Sequence, residues 1–582
     1  MSDRATCERN GRLGAANSAP RVRGTRPRLE GAGLEGIETG RNRLLVAGVL
    51  FALAFLVVGA RLIAVTVLGD GAEPRLARGA EAPAIERNDI VDRNGVLLAT
   101  SLPTASLYAD PRKVLDPDAA AAKLLELLPD LDRGTLLKRL RSDRAFVWIK
   151  RNLTPRQQFA VNRLGVPGLY FQRAVRRVYP QGRLVAHVVG FTDIDGHGLA
   201  GMERTFEAEL RQAAVGPLAL AIDMRFQQVL REELARSMAE FQAVGAAGVV
   251  LDARSGEVLA MVSLPDFDPH RPPNEPEARF NRASLGVYEM GSVFKVFTTA
   301  IALDSGVVRL TDGYDATRPI RVQRYLIRDF HPKKRWLTVP EIFVYSSNIG
   351  AAKMALDVGT DRQRAFLGKL GLLQPSALEL LEVASPIVPF PWREINTMTI
   401  GFGHGLAVSP VQLAAAFAAI VNGGIMRPPT LLARENRPPP AGRRVISPKT
   451  SAWMRQLLRL VVTHGTGRKA AAAGYLVGGK TGTGEKAGPG GYRRRALLSS
   501  FAAAFPIHAP RYVVLAMLDE PKGTPETFGY ATGGWTAAPT AGRIIARLGP
   551  LAGIRPLDDD SDPVRPPLSP EGVGEELRFA SF

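Results

Sequence analysis

The hydrophobic pattern is dominated by one uninterrupted run. Leu44 to Ala60 reads LLVAGVLFALAFLVVGA, 17 residues without a charge, and after Arg61 the run continues as LIAVTVL to Leu68. At a rise of about 1.5 Å per helical residue, roughly 20 apolar residues span the ~30 Å hydrocarbon core of a bilayer. The pattern therefore predicts a membrane-spanning helix over 44–68, with Arg61 near the far end, where a long side chain reaches the head groups. A cleaved leader is a poorer fit, because 43 residues precede the run and no obvious A-x-A site directly follows it. Residues 1–43 hold nine Arg against five acids, and Arg41 and Arg43 abut the run. That asymmetry predicts a cytoplasmic amino-terminal tail and a single-pass anchor, with the body beyond residue 68 on the outer face of the membrane.

The rest of the chain reads as a linker, two folded units and a tail. Residues 69–82 are small and polar and predict a linker. In 83–216, ERNDIVDRNGVLLATS alternates polar and apolar residues around Asn94-Gly95, a hairpin signal, and Asp118 to Leu140 carries leucines at helical spacing. The tract from Arg177 to Leu210 mixes strand-like and turn-like pieces without a catalytic constellation. In 217–550, Asp223 to Phe241 predicts a helix capped by Asp223, with Phe226, Val229, Leu230 and Leu234 on one face. AAGVVLDARSGEVLAMVS predicts two strands about Ser255-Gly256, and YLVGGKTGT and RYVVLAMLD predict two more near the end. Helices between early and late antiparallel strands predict an α+β domain whose sheet is assembled from both ends of the segment. Residues 551–582, rich in Pro and Asp, predict a disordered tail.

Composition narrows the function classes. The chain has 582 residues and a net charge of +19, a balance that suggests an anionic contact, nucleic acid or a membrane surface. An exported body meets no chromosome, so the membrane is the better expectation. One cysteine excludes an intrachain disulfide framework and a Cys-based zinc ribbon, and seven scattered histidines without H-E-x-x-H give no metal centre.

Three short motifs carry chemistry. Ser292-Val293-Phe294-Lys295 opens a helical run, and residues at i and i+3 share a face, so hydroxyl and amine can meet. A serine hydroxyl needs an adjacent base, and lysine serves only when burial or a neighbouring cation lowers its pKa. Ser346-Ser347-Asn348 adds a second hydroxyl and a carboxamide, although the same string suits an ordinary helix cap. Lys480-Thr481-Gly482-Thr483 is the rarest string; with so few lysines its chance expectation is on the order of a few thousandths. A strand-borne lysine with two hydroxyls can bind a carboxylate, and the glycine permits close backbone approach. Gly474 to Thr481 also satisfies G-x-x-x-x-G-K-[ST], but the preceding GRKAAAAG reads as helix, Tyr-Leu-Val fills the loop, and TGTGEKAGPGG cannot start a helix.

In this order the motifs resemble those of the penicillin-binding serine acyltransferases, and the resemblance covers most of 83–545. The layout is similar to class B, the monofunctional transpeptidases, since no glycosyltransferase motif precedes it. RNDIVDRNG (Arg87 to Gly95), with Asn88-Asp89 where the family has Gly, and RVYPQG…AHVVGF…GLAGMERTFE resemble the class B pedestal. GVYEMGSVFKVFTTAIALDSG resembles the nucleophile helix, with Met290 in place of a proline, and Ser409-Pro410-Val411-Gln412-Leu413 resembles a structural tract. Gly533-Gly534 with Ala538-Pro539 matches the closing helix region. Gly401-Phe402-Gly403-His404-Gly405 looks like the division (FtsI) type.

The resemblance implies a pedestal over 83–216 and a transpeptidase domain over 217–550. It implies a septal peptidoglycan D,D-transpeptidase of the bacterial inner membrane, located at the division site with its catalytic domain periplasmic. Ser292 would be the nucleophile, Lys295 the base and Ser346 the proton relay. Asn348 would hold the substrate amide, and Lys480, Thr481, Gly482 and Thr483 the carboxylate end. Peptidoglycan stem peptides and β-lactams are the implied ligands, with an FtsW-like glycan polymerase and other division proteins as partners, and with no cofactor, metal or nucleic acid. An elongation-type enzyme, a β-lactam sensor and a non-catalytic division scaffold are the competing readings; 43 Arg-rich residues are too short to fold as a sensor's effector.

Overall fold

A computed structural model describes residues 32–63 and 87–557, apart from 213–215, 323–324, 435–437 and 489–490. The predicted linker and most of the predicted cytoplasmic and carboxy-terminal tails lie outside the described residues, as does 64–68 of the predicted anchor. Among the described residues the amino-terminal unit contains one helix, Ala32–Ile63. Its apolar side chains from Leu45 to Val58 are exposed. Among the described residues no helix is long and apolar enough to cross a membrane.

The second unit begins at Pro83. Its central sheet has five antiparallel strands in the order Gly478–Gly488, Gly491–Phe505, Tyr512–Asp519, Gly245–Asp252, Val258–Leu264. The late strand Tyr512–Asp519 pairs along its whole length with the early strand Gly245–Asp252, as the pattern predicts, and Gly256 (φ +82°) turns the first hairpin. Both faces are covered, which is why these strands read as continuous apolar runs rather than alternating ones. Val514, Ala516 and Leu518 pack with Phe226, Leu230 and Leu234 of the helix Met224–Glu240 and with Ile544, Ile545 and Leu548 of Ala537–Leu551. Val513, Leu515 and Met517 pack on the opposite face. There the helix Pro410–Val421 is buried at every position; its run of alanines lets it lie close to the sheet, and Ser409 with Gln412 forms its capping box.

The pedestal is built on the long strand Leu97–Ala109. Its start pairs with Ile90–Val91, and its remainder lies between Val147–Leu153 and Leu169–Val178. Asn94-Gly95 sits in the predicted hairpin, where the Asp92 carboxylate accepts from the N–H groups of Asn94 and Val96. The leucine-rich stretch 118–140 is two helices rather than one, Pro117–Leu127 and Arg133–Leu140. Pro129 interrupts the run, and Asp132 starts the second helix by accepting from Thr135 N–H at 2.7 Å. Ile90–Val91 also pairs in parallel with Leu218–Ala219, tying this sheet to the segment that leads into the helix Met224–Glu240.

The pedestal's least legible feature is a buried ion cluster. Glu203, with no exposed surface, accepts from Arg87 Nε at 2.6 Å and Arg177 Nε at 2.7 Å, and Arg177 also donates to the carbonyls of Arg87 and Asn88. Two guanidinium groups thus share one carboxylate in a water-poor site. Removing that carboxylate leaves Arg177 without a carboxylate and Arg87 with only Glu207, 2.7 Å from its guanidinium, so Glu203→Ala should lower the stability of the folded body by about 3–5 kcal/mol. Urea unfolding of the full chain in detergent checks this. A loss below 1 kcal/mol would show that water reaches the arginines.

Candidate active site

Two of the three motifs sit where one element ends and another begins, and the third lies on a strand. Ser292 lies in a 3₁₀ turn, Gly291–Phe294, that runs directly into the helix Lys295–Asp304. Gly291 has φ +54°, and a Cβ there would strike the carbonyl of Thr483, so only glycine lets the nucleophile turn come this close to the edge strand. Gly482 is the reciprocal case, since a Cβ on it would meet the carbonyl of Met290. Ser346 ends the helix Val339–Tyr345 in the left-handed region (φ 59°, ψ 42°), a conformation costing a serine on the order of 1–3 kcal/mol. That bend aims both the Ser346 carbonyl and its hydroxyl at one nitrogen, Lys295 Nζ. Asn348 begins the next helix, Asn348–Val358. Lys480 to Thr483 lie on Gly478–Gly488, the outer strand of the sheet, one edge of which pairs with no other strand among the described residues.

The three motifs converge on Lys295, which is 1% exposed. Its Nζ lies 2.9 Å from Ser292 Oγ, 3.0 Å from Ser346 Oγ, 2.6 Å from the Ser346 carbonyl oxygen and 2.7 Å from Asn348 Oδ1. Two of these partners, the carbonyl and the carboxamide oxygen, can only accept. A neutral amine has two N–H groups for those two acceptors and keeps one lone pair, free to take a proton from Ser292. Burial, and then the charge of Lys480, push the Lys295 pKa well below its ordinary value, while Asp329 opposes that shift. Lys480, fully buried, donates to Ser346 Oγ at 2.9 Å, and burial brings its pKa down to about 7. The Ser346 hydroxyl therefore bridges the two lysines. Thr481 Oγ1 pairs with Thr466 Oγ1 at 2.8 Å, and Thr483 Oγ1 accepts from Gly533 N–H at 3.0 Å.

The structure corrects two local expectations. The strand predicted from Tyr475 begins at Gly478; Tyr475 to Val477 are buried ahead of it. GRKAAAAG is not a helix but a single turn, Arg468–Ala470, because a run this short is too brief to nucleate a helix of its own, Ala470 and Ala472 are drawn into the core, and Gly474 turns the chain at φ +77°.

Sequence reasoning missed Asp329. Its buried carboxylate accepts from Asn348 N–H at 2.6 Å and Ile349 N–H at 3.0 Å through Oδ1, and from the Ser347 hydroxyl at 2.8 Å through Oδ2. It fixes the start of the helix on which Asn348 stands. It belongs to no motif, so no local signal could have found it.

The arrangement suits acyl transfer: a serine hydroxyl on an amine base, a second hydroxyl between two lysines, and a sheet edge beside them. The comparisons agree. Residues 246–546 match the family model for the penicillin-binding protein transpeptidase domain, and 83–214 match that for the penicillin-binding protein dimerisation domain. A probable peptidoglycan D,D-transpeptidase FtsI of Caulobacter vibrioides is 44% identical over 493 residues, covering 82% of this chain and 83% of that protein. The peptidoglycan D,D-transpeptidase FtsI of Escherichia coli K12 is 30% identical over 553 residues, covering 89% and 92%. The solved structure of penicillin-binding protein 3 of Mycobacterium tuberculosis with ampicillin superposes with a TM-score of 0.65 at 25% identity, covering 82% of this chain and 98% of that one. With both family domains present in this order, and with relatives matched over most of their length, the chain belongs to the class B penicillin-binding proteins.

Proposed function

We propose that the protein is a peptidoglycan D,D-transpeptidase of septal wall synthesis, acting through an acyl-serine intermediate and acylated by β-lactams. The observation that carries this reading is the 2.9 Å contact between Lys295 Nζ and Ser292 Oγ, with both N–H groups of a neutral amine spent elsewhere. The septal role rests on the FtsI relatives.

Lys295 takes the proton of Ser292 as Oγ attacks the penultimate D-Ala carbonyl. The developing oxyanion is held by the N–H groups of Ser292 and Thr483, a contribution worth a few kcal/mol per donor in acyl transfer. The C–N bond then breaks, and Ser346 relays the proton from Lys295 to the departing D-Ala amine. Lys480, Thr481 and Thr483 bind the terminal carboxylate, while Gly482 lets the substrate backbone lie along the sheet edge. Asn348 keeps a carboxamide N–H for the substrate's amide carbonyl, its other N–H going to the Arg328 carbonyl at 3.0 Å. An amine from a second stem peptide attacks the ester, its proton passes to Lys295, and Ser292 Oγ leaves reprotonated.

The domains divide at 216/217, with the pedestal over 83–216 and the transpeptidase domain over 217–550. Residues 44–68 anchor the chain in the inner membrane with 1–43 cytoplasmic, which places the site outside that membrane, beside a glycan polymerase of the FtsW kind. The 17 uncharged residues at Leu44 to Ala60 and the arginines before them support that placement.

Labelling the full chain in membranes with a fluorescent penicillin, followed by peptide mass mapping, tests the reading. One adduct on the peptide holding Ser292 is expected; no adduct on folded protein, or an adduct elsewhere, overturns it.

A further inference from the structure

The cleft onto which Ser292 opens has a wall that the mechanism does not use. His404 lies on it, one residue after Gly403, whose carbonyl accepts from Gly291 N–H beside the nucleophile. The imidazole is wedged between two rings, 5.3 Å from Phe402 and 5.8 Å from Tyr492 by centroid, the latter edge-on at 74°. Its Nδ1 is buried without a hydrogen-bond partner, and among the described residues its side chain makes no hydrogen bond. Burial, and then the charge of Lys295, hold its pKa down at about 4, so the ring is neutral at ordinary pH. A neutral imidazole carries one proton. A buried orphan N–H is rarer and costlier than a buried orphan lone pair, so the proton belongs on Nε2, the nitrogen on the cleft side. The neighbouring Tyr492 hydroxyl is committed to both carboxylate oxygens of Glu289, each at 2.9 Å, and Gly405 N–H to the same carboxylate at 2.8 Å.

The direction of the edge strand says what would meet this donor. On the function proposed above, on which this inference rests, the terminal carboxylate lies by Lys480 and Thr481 and the scissile carbonyl by Ser292 and Thr483. The rest of the acyl donor then runs on past Gly484 and Glu485, at about 3.3 Å per extended residue, towards the wall formed by His404 and Tyr492. We propose that His404 is a specificity-determining residue that donates its Nε2–H to a carbonyl or carboxylate oxygen of the stem peptide upstream of the scissile bond. It thereby selects donors carrying the stem tripeptide over donors truncated at the penultimate D-Ala.

The test uses the full chain in detergent and two thioester donors ending in D-Ala–D-thiolactate, one carrying the stem tripeptide and one only N-acetylated. Thiol release gives kcat/KM for each. His404→Ala should reduce the long-to-short ratio about tenfold, mainly through KM of the long donor, with the short donor unchanged. His404→Gln, which restores an N–H at similar reach, should recover most of the ratio. Penicillin labelling of Ser292 to full stoichiometry confirms that each variant is folded. An unchanged ratio in His404→Ala, or a Gln variant no better than Ala, overturns the proposal. If either variant fails to fold, the other decides: a long-to-short ratio near wild type in Gln supports it, and a ratio near wild type in Ala overturns it. Turnover of neither donor by the wild-type chain is a different result, since it removes the transpeptidase reading and this inference with it.

Discussion

Lys295→Met should lower the rate of Ser292 acylation about a thousandfold while leaving a folded, inert protein, whereas Ser292→Ala should abolish the adduct altogether. Methionine nearly matches the lysine stem in volume and removes the base. The fold should tolerate it, because Lys295 enters as a buried amine whose ionised form is already disfavoured by its surroundings. What the variant loses is the lone pair 2.9 Å from Ser292 Oγ. The wild-type rate should depend on pH for the same reason. Only neutral Lys295 accepts a proton, so acylation falls as pH drops through its lowered pKa, tenfold for each further unit. Lys480 acts in the opposite sense: its pKa lies at about 7 and only its cation attracts a carboxylate, so KM for a free-acid donor should rise above about pH 7. A donor with its terminal carboxylate amidated should not show that rise. Stopped-flow acylation from pH 5 to 10, with both donors, measures the two limbs. A Lys295→Met variant that keeps more than a tenth of the wild-type rate removes lysine as the base.

The site was legible where its chemistry is local in the chain. Ser292 and Lys295 are three residues apart, and one turn of helix brings them together whatever surrounds them. Ser346, Asn348 and Lys480 were legible as motifs, but their meeting at one nitrogen depends on the left-handed bend at Ser346, which no propensity favours in a serine. That the sheet is assembled from both ends of the segment was legible, because Tyr512–Asp519 and Gly245–Asp252 read as apolar runs; the strand Gly491–Phe505, which lies between Gly478–Gly488 and Tyr512–Asp519, was not, since its charged start RRR hides it. Helix breaks were less so: the leucines of 118–140 keep their period across Pro129, and periodicity cannot register a turn that preserves phase. Pairings between distant charges left no trace, since Arg87 and Glu203 stand 116 residues apart and each alone resembles a surface residue.

Asp329 is the instance with the greatest consequence for catalysis, and it can be dissected with two substitutions. Asp329→Ala removes three acceptor contacts from Ser347, Asn348 and Ile349, freeing the start of the helix that carries Asn348. A shift of about 1 Å in a positioning group costs on the order of a hundredfold, so acylation should fall about that far; the lost cap should destabilise the fold by about 1–2 kcal/mol. Asp329→Asn separates position from charge. The carboxamide oxygen can still accept from both backbone N–H groups, and its NH₂ can donate to the Ser347 hydroxyl, so the helix start survives. The negative charge, which supports protonation of Lys295, is gone. Its removal makes the ammonium form less favourable, so the pKa of Lys295 falls further and the acid limb of the acylation profile moves to lower pH. At pH 5 the Asn variant should therefore retain a larger fraction of its own plateau rate than the wild type does. A merely structural aspartate would change plateau rate and melting temperature in parallel and leave the limb in place, and an acid limb displaced to higher pH would contradict the assignment of Lys295 as the titrating base.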